Sequence, residues 1–403
     1  MAISLLPMSK ANGTEIDGSS MGHRWPLGSL SGVRLDTSDA FAKSPSFAPI
    51  ARPLARLQSL DRITWRSLAL GTGGGALLGL AGIPGGWIAG SMLAVAMAAL
   101  SGVQVNLTPA LRNLGFLAVG ISMGSGVTPE ALSRLSSWPI TLILVILSIP
   151  LIAGTLTWFL MRVAGWNRAT ALLSSLPGAL SYLMALAPET KADVPRVAIL
   201  QTLRVAILVA VLPLVALWLS DPVPPAAIVP LGGWDDAILL FVGGVGGAIL
   251  AYLVRVPAGL LVGGLFVSAV LHGSGLVEGR PPEWVAIAGF VSLGTLIGTR
   301  FAGTRWKELA EVLSVSLVSF VIGASIAVVM ALVGAALTDF SVLKLIVAFA
   351  PGGLEAMVVL AFAMDLDPAF VAAHHLVRFL LIALAAPFVV RWFDLSAPKS
   401  NAG

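Results

Sequence analysis

From Trp65 onward the apolar positions come in long uninterrupted blocks rather than in alternation, and short breaks carrying Pro, Gly or charge separate them. Runs of this length without a polar stripe predict helices that are apolar on every side, as in a membrane. The blocks fall at roughly 67–82, 86–101, 110–127, 138–161, 169–187 and 196–219, then at 237–254, 258–272, 284–299, 312–335, 341–364 and 369–391. That makes two sets of six. Several blocks are shorter than the roughly 20 residues that cross a bilayer core, so the number of blocks does not fix the number of crossings.

Residues 1–62 break the pattern. They are rich in Ser, Pro, Gly and charge and carry no apolar stripe, which predicts a disordered cytoplasmic tail; a second short tail is expected at 393–403. The run "ISLLPM" is too short for a signal peptide core and no basic segment precedes it. The two membrane repeats are placed at 63–220 and 234–392.

Composition agrees with the pattern. Of 403 residues 57% are hydrophobic and 11% charged, against roughly a quarter charged in soluble domains, and mean hydropathy is +0.94. The fold class is therefore an all-α polytopic membrane protein. No cysteine is present, which excludes disulfides and thiolate metal sites. A net charge of +4 is what basic loops on an apolar chain produce, and nothing in the tail resembles a DNA-reading helix-turn-helix, so no nucleic-acid partner is expected.

The two sets superimpose at an offset of 173 to 174 residues. Pro84 meets Pro257, Gly86 and Gly90 meet Gly259 and Gly263, Gly120 and Gly124 meet Gly294 and Gly298, Pro177-Gly178 meets Pro351-Gly352, Asp193 meets Asp367, and Arg204 meets Arg378. Matching Leu and Val would mean little in so apolar a chain, whereas matching Pro, Gly, Asp and Arg mark an internal duplication.

Charge decides between two layouts. If all six blocks of each half cross (6+6), the basic residues near block ends divide about ten to seven between the faces. If the Pro-Gly blocks enter and leave by one face, each half crosses five times (5+5), the second half is inverted, and fourteen basic residues share the inner face while Arg134, Arg280 and Lys344 stay outside. The inverted layout satisfies the positive-inside rule better.

In this layout the Pro-Gly pairs break helices at membrane depth, where irregular backbone survives only if buried in protein or lining a cavity. Discontinuous segments at corresponding positions of inverted repeats mark the midplane site of secondary transporters. The candidate substrate or ion site is thus Pro177, Gly178, Ser181, Gln201 and Arg204 from the first half, with Pro351, Gly352, Gly353, Glu355, His374 and Arg378 from the second. Arg204 lies about nine residues after Pro195, roughly 13 Å into its helix, and an arginine there needs a partner or a cavity. His374, four residues before Arg378, is expected on the same helix face. Glu355 is expected to neutralise an arginine, and either Glu355 or His374 to carry a coupling proton. Plainer readings stand beside these: Asp193 and Asp367 as N-caps, the arginines as packing pairs, the histidines as hydrogen-bonded core, and the paired glycines as close helix contacts.

"GIPGGWIAGSML", "LGFLAVGISMGSGVTPEAL", "ADVPRVAILQTLRV" and "APGGLEAM" with "FVAAHHLVRFLL" resemble the AbrB-duplication family of bacterial inner-membrane proteins over roughly residues 65–392. The resemblance implies inverted repeats with interrupted helices, as in the cation-proton-antiporter and anion-transporter superfamily. It also brings two conflicting family labels, regulator of gene expression and ammonia monooxygenase. Family members carry Pro-Gly-Gly and a following glutamate at both breaks, whereas the first break here reads "PGALSYL" with Ala179 and no carboxylate. The expectation is a non-enzymatic secondary transporter of a small, preferentially anionic solute in the bacterial inner membrane. Its partners are the lipid bilayer, H+ or Na+ as coupling ion and a second copy in a homodimer; no cofactor or metal is expected. The alternative is a membrane-embedded sensor that alters gene expression indirectly. Adjacent His374 and His375 point about 100° apart on a helix and so do not supply an oxygenase metal site.

Overall fold

A computed structural model describes residues 62–125, 138–178, 180–219 and 231–392, so the expected tails and Arg134 lie outside the described residues. The first half contains α1 (Arg62–Leu80), α2 (Gly86–Leu100), α3 (Pro109–Gly124), α4 (Trp138–Arg162), α5 (Arg168–Ser175), α6 (Leu180–Leu186) and α7 (Val194–Leu219). The second contains α8 (Trp234–Leu253), α9 (Gly259–Gly273), α10 (Glu283–Thr299), α11 (Trp306–Leu337), α12 (Val342–Phe349), α13 (Leu354–Ala363) and α14 (Pro368–Trp392). Five of these, α4, α7, α8, α11 and α14, are long and apolar enough to cross a membrane.

The apolar blocks become these helices with two sizeable shifts, the start of α1 at Arg62 rather than near 67 and the start of α11. α11 begins at Trp306 rather than near 312, because the Glu308 carboxylate accepts the Arg305 backbone N–H at 3.3 Å and caps a polar first turn that hydropathy alone passes over. Both Pro-Gly blocks are broken as expected. α5 stops at Ser175 and α12 at Phe349, and short non-helical tips separate them from α6 and α13.

Each broken segment turns back on itself. Asn167 Nδ2 donates to Lys191 O at 3.2 Å, and Asp193 N–H donates to Thr170 Oγ1 at 2.8 Å, so the start of α5 lies beside the start of α7. In the second half Lys344 Nζ pairs with Asp367 Oδ2 at 3.0 Å and joins the starts of α12 and α14. α5 and α12 have eight residues each, about 12 Å, half a bilayer core. The segments are re-entrant hairpins that enter and leave by one face.

The halves are inverted. α3 packs against its own counterpart α10 in opposite directions: Ser292 Oγ donates to Leu111 O, while Gly289 lies against Val119. α4 and α11 do the same, with Gly323 against Leu156 and Ile152 but Gly334 against Leu144. A two-fold axis along the helices would leave equivalent helices parallel. Antiparallel equivalents require an axis across them, which excludes the 6+6 layout. The hairpins explain the inversion, since five traverses per half is an odd number.

Two sub-bundles result. In α1–α3 with α8–α10, backbones touch: a Cβ on Gly90 would stand 2.0 Å from Gly74 O, on Gly263 2.4 Å from Gly247 O, on Gly120 2.4 Å from Leu261 O and on Gly294 2.4 Å from Ile88 O. The repeated glycines are there for close packing. α4–α7 and α11–α14 form the other sub-bundle, whose centre is the second hairpin, with Leu345, Val347, Phe349 and Met357–Ala361 fully buried. Trp65, Trp158 and Trp306 sit exposed at the arginine-rich end, and Trp218, Trp234 and Trp284 at the other, as two interfacial girdles.

Candidate functional site

The two hairpin tips meet near the two-fold axis. Gly178 adopts φ +87°, and a Cβ there would stand 2.8 Å from Gly352 O of the opposite tip, so both its conformation and its space demand glycine. Pro177 and Pro351 are buried and Gly353 is half-buried beside them.

A helix that ends at membrane depth leaves carbonyls without partners or water. The arginines satisfy them. Arg204 donates from Nη2 to Leu176 O at 2.9 Å and from Nη1 to Ser174 O at 3.3 Å, and also to Gln201 Oε1. Arg378 donates from Nη1 to Ala350 O at 2.6 Å and to Phe349 O at 3.4 Å, and from Nη2 to Gly352 O at 2.8 Å. A cation at a helix C-terminus also complements the helix dipole. Each guanidinium is therefore a clamp on its own hairpin, the packing role expected above, with carbonyls rather than a carboxylate as partners.

The clamps are chemically equivalent despite different neighbours. Gln201 Nε2 donates to Leu173 O at 2.8 Å and Leu176 O at 3.0 Å while its Oε1 accepts from Arg204. At the corresponding position His375 Nε2 lies 3.1 Å from Val347 O and Nδ1 accepts from Arg378 Nη2. One side chain binds the carbonyl and the arginine together, which fixes His375 as the Nε2–H tautomer.

Two of the candidate residues have partners other than the arginine pair. His374 does not share a partner with Arg378: its ring nitrogens engage Phe370 O and Thr141 Oγ1, both at 2.8 Å, and it stacks on Phe370 at 4.0 Å. Four residues of spacing put it on the α4 side of α14, and the three-residue spacing of His375 serves the arginine instead. Glu355, half-buried on the first turn of α13, does not neutralise the arginine pair; it lies within electrostatic reach of Arg112 on α3 and Arg300 at the end of α10. Ser181 lies in α6, and its side chain is outside the described residues. Asp193 and Asp367 are caps as expected: Asp193 Oδ1 accepts from Arg196 N–H, and Asp367 Oδ1 from Ala369 and Phe370 N–H.

The clamps do not use every donor. Nε of Arg204 and Nε of Arg378 have no partner, although the two residues are only 4% and 2% exposed. Arg378 Nε faces the opposite tip, 3.1 Å from where a Gly178 Cβ would stand. Ser174 Oγ, fully buried beside Arg204, is also unpartnered. Sequence reading missed Ser174 and Thr141, because a lone serine or threonine in an apolar helix carries no signal before its neighbours are known. Among the described residues no ion pair involves either arginine.

The described histidines do not make a metal centre. His374 and His375 have both ring nitrogens engaged, as does His272 with Ser268 O and Gly279 O. Among the described residues no three His, Cys, Asp or Glu are grouped to hold a metal ion, so the donor set does not fit an oxygenase iron or copper.

These features define a class: helical membrane proteins of two inverted repeats whose re-entrant hairpins oppose each other at a buried arginine pair. Within that class the chain belongs to the AbrB family, whose model, described as "Transition state regulatory protein AbrB", matches residues 87–394. It is 27% identical over 362 residues to "Uncharacterized protein YhjN" of Bacillus subtilis (strain 168), covering 83% of this chain and 94% of that one. It is 25% identical over 335 residues to "Putative regulator AbrB" of Escherichia coli (strain K12), covering 79% and 93%.

Proposed function

We propose that the protein is a secondary transporter of a small anionic solute in the bacterial inner membrane, with its basic face in the cytoplasm, and that it is not an enzyme. One observation carries the reading: two uncompensated guanidiniums at opposed hairpin tips, each with an unpaired Nε–H. Helix breaks at the interface of inverted repeats are where secondary transporters place their sites, and unpaired buried donors favour an anion that accepts from both. Hairpins entering from opposite faces give each face its own gate. Glu355, near Arg112 and Arg300, is the coupling group in this scheme, with H+ or Na+ as the ion. A homodimer is the assembly we expect.

The test is a thermal-shift screen of the purified full chain against monocarboxylates, dicarboxylates, sulfate and phosphate, followed by uptake into proteoliposomes. An anion that raises the melting temperature and is taken up supports transport, and Ser174→Ala, which removes an unpaired hydroxyl while sparing the clamps, should weaken it. Stabilisation without uptake or counterflow favours the second reading, a membrane-embedded sensor acting indirectly on gene expression, which the family description and the E. coli relative's name support.

A further inference from the structure

A groove of about 770 Å³ runs between α4, α5 and α14 and reaches the first hairpin tip at Leu176. Along α4 it extends from Ile146 to Arg162, sixteen residues or about 24 Å, and its volume lies in the range of roughly 300–1,000 Å³ usual for ligand pockets. The walls are almost wholly apolar, and exposed Ile146 and Trp158 leave it open to the bilayer side. Pro150 and Gly154 shape the α4 wall; nothing lies within 4 Å of where a Gly154 Cβ would be.

Polarity in the groove is confined and ordered by depth. Arg162 and Arg168, both exposed, line its end at the basic face of the protein. Five residues deeper on α4, about 7 Å, Thr157 Oγ1 has no partner. Below it the lining is hydrocarbon. Cations at the surface, a hydroxyl just beneath and an apolar slot inward is the sequence of phosphate, ester and acyl chain in a phospholipid.

The other half lacks this arrangement. At the 174-residue offset Ala336 and Val342 stand where Arg162 and Arg168 stand, so the corresponding positions of the second half carry no cation. On the sidedness proposed above the basic face meets the cytoplasmic leaflet, whose surface is negatively charged.

We propose that this groove binds an anionic phospholipid, its phosphate on Arg162 and Arg168 and an acyl chain along α4. The floor includes Leu172 and Leu176 of the first hairpin, and Leu176 O is the carbonyl that Arg204 and Gln201 hold. The bound chain packs behind the first clamp and steadies that tip.

The test exploits the absence of native cysteine. Gly154→Cys in the full chain, purified in neutral detergent, is labelled with a maleimide in the presence of phosphatidylglycerol or phosphatidylcholine at equal mole fraction. Phosphatidylglycerol should slow labelling about thirtyfold more than phosphatidylcholine, as two arginine contacts of about 1 kcal/mol each imply. Arg162→Gln with Arg168→Gln should erase the difference, while Arg391→Gln, a basic residue near the same face but outside the groove, should keep it. Equal protection by both lipids would show a slot without headgroup recognition and overturn the proposal. So would a difference that survives the double variant, one lost equally in Arg391→Gln, or protection by inorganic phosphate alone.

Discussion

If Arg378 is a clamp, Arg378→Gln should release the second hairpin. The substitution removes donation to Ala350 O and Gly352 O, at 2.6 and 2.8 Å, and the longer contact to Phe349 O. A hydrogen bond to a charged group is worth about 1.5–3 kcal/mol, and the buried carbonyls left behind have no water to turn to. Two good bonds therefore amount to about 3–6 kcal/mol, which raises the open population of the tip by roughly two to four orders of magnitude. The readout is the thiol-labelling rate of Gly353→Cys, a position where a Cβ meets nothing nearer than Glu355 Oε2 at 3.9 Å, in a chain with no other cysteine. The rate should rise at least about a hundredfold with Arg378→Gln if labelling follows the open population. A rate within about twofold of the parent, with an unchanged unfolding temperature, would refute the clamp and leave Arg378 as a group whose sole task is the ligand.

Because Gln201 and His375 do one job, His375→Gln and Gln201→His should each cost less than about 1 kcal/mol in denaturant unfolding, whereas His375→Leu, which strands Val347 O and an arginine donor, should cost about 2–4 kcal/mol. Gly90→Ala should destabilise by roughly 2 kcal/mol or more, since its Cβ falls 2.0 Å from Gly74 O. Gly73→Ala, with nothing within 4 Å, should be neutral or raise the melting temperature slightly. For sidedness, Glu189→Cys and Asp339→Cys occupy exposed positions beside the two hairpins. An impermeant thiol reagent should label Asp339→Cys in intact cells and Glu189→Cys only after permeabilisation; labelling of both from outside would overturn the inverted placement in the membrane.

Some of this was legible from the sequence, and the dividing line is physical. Proline, glycine and charge are expensive in a bilayer, so their repetition at a fixed offset records backbone events: Pro177-Gly178 and Pro351-Gly352 mark breaks, and Gly90 with Gly263 marks backbone contact. Inversion could be read because arginines partition between faces. What side chains face could not be read, because helical periodicity gives a face but not the neighbour on it. His374 and Arg378 share a face by spacing, yet the α4 hydroxyl of Thr141 takes one and the α12 carbonyls take the other. The pairing of Gln201 with His375 hid for a related reason: residue types differ while hydrogen-bonding capacity is the same, one donor to a carbonyl and one acceptor from an arginine. The unequal chemistry of the halves therefore lies elsewhere, in Glu355 against Ser181 and in Arg162 and Arg168 against Ala336 and Val342. In the transport reading proposed above, an inverted repeat that keeps its clamps symmetric and its charges asymmetric has equal gates but a preferred face, and that asymmetry is where direction and coupling should be sought.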